Sequence, residues 1–181
     1  GVDLVVLLVG LFAVSQAIEM MVEGSAATTG HDGAVISQEE VLVGVKRLTS
    51  SKWNLARSSV LGTVIGAIPG IGITSANFLA YLLALTTSDR PETFGEGNPE
   101  GVIAGEASNN GSAMGALIPA MALGIPGGAA AAIFIGVMLT YGITPGPTVF
   151  QGELPYIVFV SIFLGSIVFA LGGIFAGQYF V

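Results

Sequence analysis

GVIAGEASNNGSAMGALIPAMALGIPGGAAAAIFIGVMLTYG, residues 101–142, decides how this chain is read. The stretch is long and apolar enough to enter a membrane. It also holds a carboxylate (Glu106), two adjacent amides (Asn109 and Asn110), two prolines (Pro119 and Pro126) and many glycines. A span that only anchors has no use for these groups. Each polar side chain needs a partner in hydrocarbon, and each proline removes a backbone donor. Polar groups crowded beside helix breakers are the pattern of unwound backbone lining a cavity at membrane depth.

Working outward, the preceding apolar segment, residues 60–87, repeats this logic. Ile68-Pro-Gly70 interrupts it, as Ile125-Pro-Gly127 interrupts the longer stretch, and Gly72 follows the first break. Paired broken segments point to a transporter binding site. Whether each is a re-entrant hairpin or a kinked span stays open at this level. Gly62, Gly66 and Gly70 recur every four residues, a spacing that lets helix backbones approach closely. Residues 1–23 and 154–181 read as continuous spans. Residues 24–59 read as a cytoplasmic segment with an amphipathic helix. It begins at a capping box of Ser37 and Glu40, and it carries Lys46, Arg47, Lys52 and Arg57, four of the five bases. Trp53 suits an interfacial anchor. The loop 88–100 is acidic, which weakly favours the outside and fixes nothing.

The composition agrees. Of 181 residues, 52% are hydrophobic and 9% charged, with mean hydropathy +0.84. Soluble domains carry roughly 25% charged residues. The expected fold class is therefore an all-α, polytopic integral membrane protein with broken or re-entrant helices. There is no cysteine, and the one histidine, His31, lies in a polar loop, so thiolate chemistry and a histidine metal site are not expected. A net charge of −7 argues against nucleic acid. Nothing fits a hydrolase triad, and Gly70-Ile-Gly72 without a preceding strand is no dinucleotide fingerprint. The segment before Glu19 lacks the basic start of a signal peptide. Gly1 and Val181 suggest one transmembrane domain cut from a longer polypeptide.

Two kinds of group can carry function. Half-helices starting at Thr74 and after Gly128 aim backbone N–H groups into the bilayer middle, where they favour anions. Thr74, Ser75, Asn77, Gly127 and Gly128 are thus candidate substrate-binding residues, and Thr74 or Ser75 is expected to cap its helix. Asn109 and Asn110 join them. Glu106 shares a helix face with both (i, i+3, i+4), and Glu106, Asn110 and the carbonyl ends near Ala67 and Ile118 are candidates for a cation such as Na⁺. Pro69, Gly70, Gly72, Pro119 and Pro126 are read as the structural breaks. The competing readings are a scaffold subunit whose glycines serve packing alone, and an intramembrane enzyme, for which no nucleophile–base pair is visible.

Four motifs in order, GTVIGAIPGIG (62–72), FGEGNPEGVIAGEASNN (94–110), GALIPAMALGIPGG (115–128) and YGITPGPTVF (141–150), resemble the C-terminal half of the TctA-type large membrane subunit of tripartite tricarboxylate transporters. The resemblance implies one half of an inverted-repeat transporter in the bacterial inner membrane. It also implies a periplasmic binding protein, a small membrane subunit and ion-driven uptake of organic carboxylates. The sequence departs from that pattern at Gly105 and Ser108, where proline and alanine are usual, and at Gly128, where serine is common.

The clustered bases predict topology. A cysteine placed at Ser50 is expected to react with a membrane-impermeant maleimide only from the cytoplasmic face; labelling from outside intact cells reverses the orientation.

Overall fold

The computed structural model describes residues 6–7, 9–23 and 38–176. The capping box at Ser37, the loop with His31 and the last residues of the final apolar run lie outside them. The described residues form helices joined by turns, with no strand among them. A π-helical turn, Val9–Val14, leads into α1, Ser15–Glu23. Then follow α2 (Gln38–Ser50), α3 (Lys52–Gly66), α4 (Ile73–Thr87), α5 (Pro99–Gly115), α6 (Leu117–Leu123), α7 (Ala129–Thr140) and α8 (Leu154–Ala176).

The central contact joins α3 and α5. Both carry small residues at four-residue spacing, and their backbones touch. A Cβ added at Gly62 would overlap the Ser108 carbonyl oxygen, and one at Gly66 the Ser112 carbonyl. Reciprocally, Gly111 and Gly115 leave no room against Ser59 and Thr63. The pairing rises in number on both helices together, so α3 and α5 run parallel. Asn54 locks the register near the start of both helices: its amide donates to the Glu100 carbonyl at 2.9 Å, while its Oδ1 accepts from Arg57 Nη2 at 3.1 Å.

The helix α4 runs the other way. Gly101 abuts the Tyr81 ring, Ala80 and Ala84 pack on Ala104, and Ile73 and Thr74 reach the level of Ala113. Since α3 is parallel to α5 and α4 antiparallel to it, the first broken segment is a hairpin. Its tip is the non-helical run 67–72, where Gly70 (φ 86°) and Gly72 (φ 82°) adopt a backbone that other residues resist. Each arm has 15 residues, about 22 Å. The first arm starts at Lys52 and not at residue 60, so Lys52 and Arg57 stand on its opening turns. The loop 88–98 returns to that same basic end, against its weak leaning to the opposite side. Asn98 closes it by accepting from the Glu100 N–H at 2.8 Å and donating to Thr93 Oγ1 at 2.8 Å, and Pro99 opens α5.

The second broken segment is built differently. Pro119 interrupts it only slightly. It is buried in the first turn of α6, where a missing N–H is tolerated, and its effect is limited to a jog at Ala116. The wide break is residues 124–128. Left-handed Gly124 (φ 68°) ends α6, and the chain doubles back so that Gly127 packs on Ala116. Ala116 and Ala120 then meet Ala131, Ala132 and Ile135, and Met121 meets Met138, so α7 runs alongside α6 in the same direction. Thus α5 and α7 together continue one way, where α3 and α4 reverse.

Past the turn at Pro147–Gln151, α8 leaves Val149 and returns until Ser166 and Phe169 lie beside Asn110. Among the described residues it is the one helix long and apolar enough by itself to cross a membrane, over Leu154–Ile174.

The packing yields a test. Gly111→Ala should force the backbones of α3 and α5 apart, a strain of about 1–3 kcal/mol, and lower the melting midpoint of the purified protein. Gly105→Ala, on the same helix but with open space around it, should melt like the parent. Equal behaviour of the two would remove the close contact from the fold's foundations.

Candidate functional site between the two helix breaks

Both breaks open onto one cavity of about 330 Å³. The hairpin contributes Gly72, Ile73 and Thr74. The second break contributes Gly127 and Gly128, followed by Ala129, Ala130 and Ala131. Ala113, Ala116 and Leu117 form the floor, and Leu11, Phe12 and Ser15 of the first helical segment close a side. The apposition follows from the fold. The parallel α3–α5 pair sets the hairpin tip at the level of Ala116, and the doubled-back strand returns the start of α7 to that level.

Both helices that begin here are uncapped. Gly72 precedes α4 and Gly128 precedes α7, and no side chain bonds either first turn. The helices α3 and α6 also start without a side-chain cap, whereas α5 is capped by Asn98. Glycine at the N-cap supplies no acceptor, so the first-turn N–H groups remain available to whatever enters, and the positive ends of two helix dipoles converge there. Among the described residues no charged side chain lines the cavity. The arrangement can hold an anion through backbone donors.

The residues expected from sequence divide into three groups. Thr74, Gly127 and Gly128 line the cavity. Neither Thr74 nor Ser75 caps α4: the helix starts at Ile73, so both lie inside its first turn, and Ser75 is exposed. Asn77 sits a turn deeper, partly buried, with an enclosed Oδ1 that has no partner among the described residues. Ala67 does cap the carbonyl end of α3. Ile118 does not mark a carbonyl end, because it lies in the first turn of α6, whose end is at Leu123 and Gly124.

Glu106, Asn109 and Asn110 do share a face, but it is the exposed face of α5, away from the breaks. The Asn110 amide donates to the Glu106 carbonyl at 2.9 Å, and Asn110 lines a separate cleft with Ile162, Gly165, Ser166 and Phe169 of α8. Gly111 and Ser112, the next two residues, face α3. No cluster of three or more His, Asp or Glu that could hold a metal occurs among the described residues.

Sequence reasoning missed Ser15 and Ser108. Ser15 gave no signal beyond a hydroxyl in an apolar run. Ser108 is fully buried, and its hydroxyl lacks a partner among the described residues.

The sequence profile of the tripartite tricarboxylate transporter TctA family matches residues 1–181. The chain belongs to this family. It is 30% identical over 176 residues to an uncharacterised 52.8 kDa protein of the TAR-I ttuC' 3' region of Agrobacterium vitis, covering 94% of this chain and 34% of that protein. It is 35% identical over 112 residues to a protein of the TAR-II ttuC' 3' region of the same organism, covering 61% of this chain and 46% of that one. The chain therefore spans between a third and a half of these relatives. No solved structure matches it. TctA proteins are membrane components of tricarboxylate transporters, in keeping with a helical fold and a composition so poor in charge.

In this TctA chain Gly128 is extended (φ 174°), and a Cβ there would meet nothing within 4 Å. Gly128→Asp should therefore fold, and its carboxylate should cap α7 and occupy the N–H groups. The expected result, in the full-length protein, is an unchanged or raised melting midpoint with citrate-induced stabilisation lost. Citrate stabilisation at the parent level would show that these donors do not bind anions.

Proposed function

We propose that the full-length protein carries organic carboxylates, tricarboxylates or dicarboxylates, across the bacterial inner membrane by secondary active transport. In this reading it is a multi-pass protein driven by an ion gradient. It receives substrate from a periplasmic binding protein and works with a small membrane subunit. The supporting observation is the convergence of two uncapped helix N-termini on one cavity without a basic side chain.

The magnitudes suit transport. Each partly buried helix end contributes up to ~2 kcal/mol toward an anion. Hydrogen bonds to a charged group add about 1.5–3 kcal/mol each. A few such contacts hold a carboxylate without a lysine or arginine, and leave it weakly enough bound to be released. Thr74 adds a hydroxyl, and Gly127 and Gly128 let backbone approach the ligand. In this reading the hairpin's open end is cytoplasmic, which the bases at the start of α3 support, and the loop 88–98 lies beside it. Substrate would then meet the hairpin tip partway across the bilayer. Glu106, Asn109 and Asn110 stand outside this substrate site, on the side of α8. No cofactor is required.

Uptake of labelled citrate by the full-length protein, with its partner subunits, tests the reading. Thr74→Val keeps size and removes the hydroxyl. It should weaken apparent affinity roughly 10- to 150-fold at equal abundance in the membrane. Asn110→Ala should leave apparent affinity within about twofold of the parent on the same scale. The reverse ranking would move the substrate from the breaks to the α5–α8 cleft. No uptake of any di- or tricarboxylate by the parent would favour a scaffold.

A further inference from the structure

Three serines are fully buried among the described residues. Ser112 donates to the Asn109 carbonyl at 3.0 Å, and Ser58 to Asn54 Oδ1 at 3.4 Å. Ser108 is fully buried on α5 and makes no such bond. On the facing helix α4, the enclosed Oδ1 of Asn77 is also without a partner among the described residues.

The two orphans lie at one level. Tyr81 meets Gly101 toward the basic end of the α4–α5 pair, and Ile73 and Thr74 meet Ala113 at the cavity. Asn77 falls midway between the first members of these contacts, and Ser108 close to midway between the second. Gly62 of α3 abuts the Ser108 backbone. Both orphans are oxygens, one turn below the cavity and its convergent N–H groups.

We propose that Asn77 Oδ1 and Ser108 Oγ are ligands of a buried monovalent cation, Na⁺. Oxygen lone pairs repel a carboxylate and attract a cation, so the site complements the donors above it. Its two side chains are neutral. A divalent ion is usually held by carboxylates, and no acidic cluster exists among the described residues. A neutral site suits a single charge. The remaining coordination would come from backbone carbonyls and water. For its coupling role the proposal rests on the carboxylate reading of the cavity: a cation one turn away attracts the anion, so each raises the other's affinity by the same factor.

The test uses the full-length protein in detergent with Na⁺ alone and no carboxylate, so that its failure is separate from failure of the carboxylate reading. Melting midpoints are recorded against NaCl at constant ionic strength, with choline chloride as the balance and KCl as a control. The parent should show a saturable, Na⁺-specific rise. Ser108→Ala, which removes one atom and adds none, should need at least tenfold more Na⁺ for the half-maximal rise, and Asn77→Ala should behave likewise. Both variants should elute as the parent does in size exclusion. A parent that responds equally to Na⁺, K⁺ and choline would mean that a water fills the site, and the proposal falls. A full Na⁺ response in both variants would place the ion elsewhere and also overturn it.

Discussion

Everything in this structure depends on one contact, the backbone-to-backbone seam between α3 and α5. In hydrocarbon, helices gain little from burying apolar surface, because lipid is equally apolar. Close approach through small residues is what holds them. Here Gly62, Gly66, Gly111 and Gly115 remove every Cβ that would separate the helices. The seam fixes register as well as contact, since each glycine receives a particular carbonyl. Asn54, bridging Arg57 and the Glu100 carbonyl, pins the register at the basic end. Once α3 and α5 are parallel and α4 lies between their ends, the hairpin tip has only one height.

The second break obeys a different geometry for the same end. A hairpin brings a helix start to the middle by reversing; the second segment does so by doubling back over five residues and resuming its course. The start of α7 is thereby returned past the whole of α6 to Ala116. Both routes yield a helix N-terminus at mid-height, which an unbroken helix cannot provide. The glycines at Gly70, Gly72 and Gly124 sit where these reversals demand positive φ.

Much of this was legible in the sequence, and the failures have physical reasons. The paired Ile-Pro-Gly phrases located both breaks, because proline and glycine act locally. Hairpin versus kinked span was not legible, because reversal is a fact about neighbours; only the α3–α5 pairing decides it. Pro119 marks only the jog at Ala116 and not the wide break, because a proline in a first turn costs little and the start of α6 is not marked in the sequence. The spacing of Glu106, Asn109 and Asn110 gave a common face but not its direction. The direction was readable on the opposite side of the same helix: Ala104, Ser108, Gly111 and Gly115 form a small-residue stripe that had to face another backbone, which turns the carboxylate and amides outward. Ser108 was hidden because serine in such a stripe ordinarily bonds its own helix.

The uncapped starts of α4 and α7 have a consequence for how this cavity changes over generations. Its donors are peptide N–H groups, which every residue except proline supplies. Point substitutions that keep the helices therefore leave the polar edge of the cavity intact, whatever the codon. The surfaces that can drift are the side chains facing it: Leu11, Phe12, Ser15, Ala113 and Leu117. A lineage can reshape these walls one residue at a time, altering the size and hydrophobicity of the cavity, while the donors at the two helix starts are inherited with the backbone itself.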